Sequence, residues 1–222
     1  MNGHFVVSDA GITLVAGGPV DRTTLRMALK HAPMLVAADG GADRALRHGA
    51  EPIAVIGDLD SISDAARTRL GAGRLHHVAE QETTDLDKCL RSIKARFILA
   101  IGVTGGRLDH ALAALSSLLR HQKAGGAPCI VIAGRDVIFA APRSLALRLP
   151  LGERISLFPM AAITGRSTGL RWPIDGLTLV PDGRIGTSNE VQDRRVTLDF
   201  DSDGMLVILP RRNLRAVIAA LV

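Results

Sequence analysis

Residues 96–122 read RFILAIGVTGGRLDHALAALSSLLRHQ. A near-continuous apolar run gives way to a glycine-rich turn and then to LDHALAALSSLLRHQ, where apolar residues recur at three-to-four spacing. An apolar run without alternation marks a parallel strand covered on both faces. The spacing that follows is that of a packed helix. The same unit repeats along the chain. Apolar runs at 12–18 (ITLVAGG), 34–41 (MLVAADGG), 53–61 (IAVIGDLDS), 74–80 (RLHHVAE) and 128–134 (PCIVIAG) alternate with helix-like segments at 20–31, 42–49, 63–70 and 84–94. Strand–helix units of this size predict an N-terminal parallel α/β layer domain. Ser63 is expected to cap the helix at 63–70. Ala66 at the third position leaves it without a full capping box.

The texture changes near residue 140. DVIFAAP reads as a last strand of the sheet. Short β-like pieces follow: SLALRLP, LGERISLFPM, AAITGRSTGLRWPI, GLTLVPDGRIGTSNE and RRVTLDFDSDGMLVILP. Gly, Pro, Asp-Gly and Ser-Asn separate them, as turns require. These predict a smaller antiparallel β domain, a sandwich or partial barrel, ending in a helix from Arg212. The boundary is expected at about residue 142, giving domains 1–142 and 143–222.

Composition narrows the classes. A chain of 222 residues, 47% apolar, builds one large or two modest cores and is not disordered. The net charge of +5 is spread along the chain, with no dense Arg-Lys block. Five Phe, one Trp and no Tyr make a poor base-stacking surface, so no nucleic-acid partner is expected. Cys89 and Cys129 sit in apolar settings and read as small buried hydrophobes in a reducing compartment. His76 and His77 lie in a strand without companion ligands for zinc. No stretch approaches the ~18 apolar residues of a bilayer span. MNGHFVVSDAG lacks the pattern of a signal peptide, so a cytoplasmic protein is expected. The apolar tail AVIAALV is expected at a domain or subunit seam.

Ligands of doubly wound sheets bind at the carboxyl ends of the strands. Acidic residues gather there. Asp39 closes MLVAAD, Asp58 and Asp60 close IAVIGDLD, Asp85 opens the helix in QETTDLDK, and Asp109 follows IGVTGGR. Each alone reads equally as a cap or a turn residue. Asp58 and Asp60, one residue apart, suit a shared hard cation, and carboxylates with phosphate oxygens are what Mg2+ prefers. Gly17–Gly18, Gly40–Gly41, Gly102, Gly105 and Gly106 lie at the same ends. They permit close approach of backbone N–H groups to phosphate, and they also suit tight turns. Neither GxxxxGK[ST] nor a dinucleotide fingerprint is present. Arg107 suits a phosphoryl oxygen, and His110 reads either as its companion or as a helix-start residue. Trp172 is either packed or a platform for a flat or cationic ring.

Four segments taken together, VAADGGADRAL, VIGDLDSIS, QETTDLDKCL and GVTGGRLDHALAAL, resemble the catalytic-domain motifs of the thiamine pyrophosphokinase family. GLRWPIDGLTL followed by IGTSNEV resembles that family's thiamine-binding β domain, and the likeness runs in order over about residues 12–200. It implies an α/β domain followed by a β-sandwich, in a homodimer. It implies transfer of diphosphate from ATP to the hydroxyl of thiamine, with Mg2+ and AMP as a product. By position, Asp39, Asp58, Asp60, Asp85 and Asp109 fall in the nucleotide-metal region. Asp58, Asp60, Asp85 and Asp109 are then metal ligands and, with Arg107, catalytic residues. Gly40, Gln81, Thr84, Lys88 and His110 line or support the nucleotide. Trp172, Ser188 and Asn189 match the thiamine side. The residues alone leave two alternatives, a metal-dependent phosphohydrolase using the same aspartates and a non-catalytic nucleotide-sensing module.

Overall fold

Among the described residues, 4–222 of the computed structural model, the chain divides between Ala133 and Gly134 into two compact units. The first contains β1 (Val6–Val7), β2 (Ile12–Val15), β3 (Met34–Ala38), β4 (Ala54–Gly57), β5 (Leu75–His77), β6 (Ile93–Lys94), β7 (Ile98–Ile101) and β8 (Cys129–Ala133). Its helices are α1 (Arg22–His31), α2 (Gly41–Arg47), α3 (Asp64–Leu70), α4 (Asp85–Ser92) and α5 (Leu108–Lys123). The main strands run parallel in the order β8-β7-β2-β3-β4-β5. Every residue of β2, β4 and β7 is buried, which explains why their sequences do not alternate. From β2 the chain builds outward through β3, β4 and β5, then crosses back to place β7 and β8 on the other side. The order therefore reverses between β2 and β7, and such a switch point opens a crevice at the strand ends.

The elements are shorter than the apolar runs. β3 stops at Ala38 and β4 at Gly57, because Asp39 and Leu59 take left-handed backbone angles, φ 44° and 63°. A regular strand ladder does not run on through that conformation. Helix α4 ends at Ser92, because Ile93–Lys94 pairs in parallel with Val6–Val7. Ser63 caps α3 as expected, its hydroxyl accepting from the Ala66 N–H at 3.2 Å. A cluster of Ala37, Ala42, Val55, Leu59, Ile62, Ala66 and Leu70 holds α2 and α3 on the sheet. Cys89 and Cys129 are buried thiols, and burial pushes Cys129 up to about 12.

The second unit contains β9 (Asp136–Ala140), β10 (Ser144–Arg148), β11 (Arg154–Pro159), β12 (Ile163–Thr168), β13 (Thr178–Leu179), β14 (Gly186–Glu190), β15 (Arg195–Phe200), β16 (Met205–Pro210) and helix α6 (Leu214–Leu221). Antiparallel pairing gives two groups of four strands, β14-β11-β16-β9 and β10-β15-β12-β13. Exposure alternates cleanly along β10, the signature of a sandwich sheet with one face inside. DVIFAAP supplies β9, which pairs antiparallel with β16. The apolar tail forms α6, with Leu214 and Val217 buried and the helix lying beside β10. At its foot, the nearly buried Glu153 carboxylate accepts from Arg212 at 2.6 and 2.7 Å and from Asn213 at 2.9 Å. The α/β unit followed by a β unit is the architecture the sequence predicts. No helix among the described residues is long and apolar enough to cross a membrane.

Candidate active site

The crevice at the switch point is a cleft of about 590 Å³, lined at the ends of β2, β3 and β7 by residues including Gly18, Asp39, Gly40, Asp85, Gly102 and Arg107. Two glycines set its floor. The Gly18 N–H donates to the Gly102 carbonyl at 2.8 Å, and a Cβ on Gly18 would lie 2.4 Å from that oxygen. A Cβ on Gly41 would lie 2.1 Å from the Val15 carbonyl, so α2 can start hard against the end of β2 only with glycine there.

Asp39 leaves β3 at the rim of this cleft and is almost fully buried. Burial raises its pKa to about 6; the Ser61 backbone N–H, donating at 3.1 Å, opposes the rise, and the Asp85 charge adds to it. Asp58 and Asp60 flank Leu59. The Leu59 side chain is buried in the core cluster, and its carbonyl accepts from Arg67. Pinning Leu59 inward turns its two neighbours away from the core. One carboxylate oxygen from each of Asp39, Asp58 and Asp60 then lies within 4.8 Å of the other two. An all-oxygen set of this kind fits a hard divalent cation such as Mg2+.

Asp85 is not in that trio. It opens α4, and Lys88 one turn later ties it to Asp58: the ammonium donates to Asp85 Oδ1 and Asp58 Oδ2, both at 3.1 Å. The Lys88 side chain is only 2% exposed. Burial pulls its pKa down, but the hydrogen bonds and charges of Asp85 and Asp58 outweigh burial and hold it above the ordinary lysine value. For Asp58, burial acts upward and is overcome by Lys88 and the Asp60 N–H, leaving its pKa below normal. Gln81 Nε2 donates to the same Asp58 Oδ2 at 3.3 Å.

Thr84 borders the cleft and caps α4 in a capping box with Asp87. Asp87 itself faces away from the cleft, toward Ser117 at 2.9 Å and Arg120 at 3.0 Å on α5. Asp109 also stands apart from the carboxylate trio. It is 63% exposed and holds Arg107 through bonds of 3.1 and 2.6 Å, which lowers its pKa to about 2. Arg107 and His110 both line the cleft. Two polar lining residues are not among the expected site residues, Ser61 and Arg44, whose Nε donates to the Gly17 carbonyl at 3.2 Å. Arg44 lies in VAADGGADRAL, one helical turn beyond Gly41, and that spacing was the available signal.

In the β unit, Trp172 is 53% exposed and therefore not a core residue. Asn189, buried on β14, clamps its main chain: Asn189 Oδ1 accepts from the Trp172 N–H at 3.2 Å, and Nδ2 donates to the Trp172 carbonyl at 2.6 Å. Ser188 takes φ 59°, with its N–H donating to Ser156 Oγ at 3.0 Å. Arg171 lays its guanidinium over the Trp172 ring, 5.0 Å from the centroid.

Comparison with known proteins agrees with this arrangement. Two family models match in series: thiamin pyrophosphokinase, catalytic domain, over residues 25–130, and thiamin pyrophosphokinase, vitamin B1 binding domain, over 143–205. The chain is 30% identical over 207 residues to thiamine pyrophosphokinase 1 of Oryza sativa subsp. japonica, covering 78% of this chain and 77% of that one. It superimposes on the crystal structure of thiamine pyrophosphokinase from Bacillus subtilis with a TM-score of 0.71 at 27% identity, over 90% and 98% of the two chains. Against thiamin pyrophosphokinase from Candida albicans the TM-score is 0.77 over 95% and 94% of the chains, and at 14% identity that likeness speaks for the fold alone. Both family models in order, and a relative at this identity over most of both chains, establish that the chain belongs to the thiamin pyrophosphokinase family.

Proposed function

We propose that this chain is a thiamine diphosphokinase, which moves a diphosphate group from ATP to the hydroxyl of thiamine. The observation that carries the reading is the carboxylate trio, set beside a glycine-floored cleft in a chain that matches both domains of the family. In the reaction, the thiamine hydroxyl oxygen bonds to the β-phosphorus. The bond from that phosphorus to the oxygen bridging the α-phosphate breaks, AMP leaves with the bridging oxygen, and the hydroxyl proton is lost. Such a transfer needs alignment and charge neutralisation more than covalent help.

Asp39, Asp58 and Asp60 would hold Mg2+, with Asp85 and Asp109 as further carboxylates near the nucleotide. The cation supplies charge neutralisation on phosphate oxygens when bound. Lys88 is too buried to meet a substrate freely. It keeps Asp58 and Asp85 apart from mutual repulsion, and Gln81 supports Asp58 from the other side. Thr84 fixes the start of α4, while Gly40 and the Gly18–Gly102 turn let backbone approach the nucleotide. Arg107, just before α5, and His110, in its first turn, line the cleft and would face the phosphates, with Asp109 steering Arg107. We assign nucleotide and metal to residues 1–142 and thiamine to 143–222, where Trp172 offers its ring, Asn189 holds that tryptophan in place, and Ser188 stands beside it.

Product analysis tests the reading. AMP formed one-to-one with thiamine diphosphate is the expected result. Nucleotide breakdown indifferent to thiamine would make the chain a phosphohydrolase. Stoichiometric nucleotide binding without turnover would make it a sensing module. The reading extends to a cytoplasmic C₂ homodimer. Two free, buried thiols suit a reducing compartment. Leu108 and Leu112, exposed on one face of α5, suit cover by a second copy.

A further inference from the structure

Arg171 has no part in the reading above, yet it stands on the residue that reading assigns to the acceptor. Its main chain is fixed: the Arg171 N–H donates to the Glu190 carbonyl at 2.9 Å, and Asn189 holds both main-chain polar groups of the next residue, Trp172. With the backbone clamped, the position of the indole depends on its own two side-chain torsions. The Arg171 guanidinium lies 5.0 Å from the ring centroid, inside the ~6 Å reach of a cation–π contact. Glu190 tethers it there, with Oε2 accepting from Nη1 at 3.3 Å.

We propose that Arg171 is a specificity-determining residue of the acceptor side, an internal cation that competes with the charged ring of thiamine for the face of Trp172. The inference rests on the reading that Trp172 meets thiamine. An indole face attracts cations through its quadrupole, whichever cation is offered. Thiamine carries a fixed positive charge in its thiazolium ring. To use the covered face, thiamine must displace the guanidinium. On the open face it meets a ring whose attraction for a cation is already opposed from behind. A neutral ring of the same shape escapes most of this penalty. The tether is reversible, since Arg171 and Glu190 are 56% and 41% exposed and such pairs are weak. Glu190 can hold the displaced guanidinium, so exchange leaves neither charge stranded.

The experiment compares Arg171→Gln with the wild type. An exposed cation–π contact corresponds to about a two- to fivefold change in affinity. The KM for thiamine should fall by that factor, with kcat and the KM for ATP unchanged. The inhibition constant of a thiamine analogue with a neutral thiophene in place of the thiazolium should not move. Glu190 left unpaired could itself attract thiamine, so the double variant Arg171→Gln/Glu190→Gln is measured beside it. A lowered KM retained in the double variant supports competition for the ring. A KM that returns to the wild-type value assigns the effect to Glu190 and overturns the proposal, as does an unchanged or raised KM in the single variant. Trp172 is the only tryptophan, so its fluorescence reports the acceptor contact separately. Saturable quenching by thiamine with no KM response refutes Arg171 alone. A flat titration of the wild type removes the acceptor assignment of Trp172 and the proposal with it.

Discussion

Replacing Lys88 by methionine tests what holds the acidic site together. Methionine keeps most of the side-chain volume and removes the charge. The lost groups are two bonds of 3.1 Å, to Asp58 and Asp85, from an ammonium only 2% exposed. Removing one partner of a fully buried ion pair costs about 3–5 kcal/mol, because a charge is left stranded. Here the partners keep 15% and 35% exposure and can turn toward water, so the cost is discounted to about 2 kcal/mol. For a chain of this size that corresponds to a fall of about 4–8 °C in melting temperature. The assay is thermal unfolding followed by circular dichroism, in EDTA and then in Mg2+ with nucleotide. The full drop is expected in EDTA. Magnesium should narrow the gap, since a cation bound only by the folded state stabilises it and supplies the missing positive charge. An unchanged melting temperature in EDTA would refute the argument that Lys88 balances these carboxylates. A gap of equal size with and without magnesium would show that the lysine and the cation do not share a site.

Other perturbations test separate parts of the structure. Asp58→Asn and Asp60→Asn should each lower kcat by at least ~100-fold with an unchanged circular dichroism spectrum; near-normal rates across a magnesium titration would remove both from the reaction. Gly41→Ala places a Cβ 2.1 Å from the Val15 carbonyl, so β2 and α2 must separate. A loss of about 1–3 kcal/mol is expected from overpacking, read as a lower urea midpoint. His121 is held below the ordinary histidine value of 6.5, chiefly by burial, its Nε2–H donating to the Ala127 carbonyl at 2.9 Å. The unfolded chain therefore binds this proton first as pH falls. Stability is complete above 6.5, declines as pH drops toward the folded-state value, and levels off below it. His121→Gln should flatten that decline in melting temperature as pH falls below 6.5, and identical slopes in both proteins would contradict it.

Much of the α/β unit was legible because burial on both faces leaves an unmistakable apolar run, and because acids at strand ends stand out against it. Asp39, Asp58 and Asp60 stand out that way as strand-end acids, although the expected metal set is Asp58 and Asp60 with Asp85 and Asp109, and places Asp39 beside the nucleotide. What separates Asp85 from Asp87 is rotation about α4: one faces the cleft and the other faces Ser117 and Arg120, and two residues of spacing do not reveal which is which. The Lys88 bridge joins residues 30 apart and exists only because α4 packs against β4. Asp109 reads as a ligand beside the other acids, but its nearest cation is Arg107, two residues earlier, a local pairing that competes with any shared role. In the β unit, the sequence pattern left Trp172 open between core and surface, since a turn-bounded segment carries no periodicity to decide its face.

Leu59 deserves a different reading from any other core leucine. Its side chain is buried in a hydrophobic cluster, yet its backbone, at φ 63°, is what points Asp58 and Asp60 outward. A substitution there would score as a folding defect in a melting curve and as an active-site defect in a rate assay, although no atom of the side chain reaches a substrate. Substitutions at this position should therefore be sorted by rescue. Those restored by low temperature have lost the anchor, and those restored by high magnesium have kept the anchor and loosened the aim.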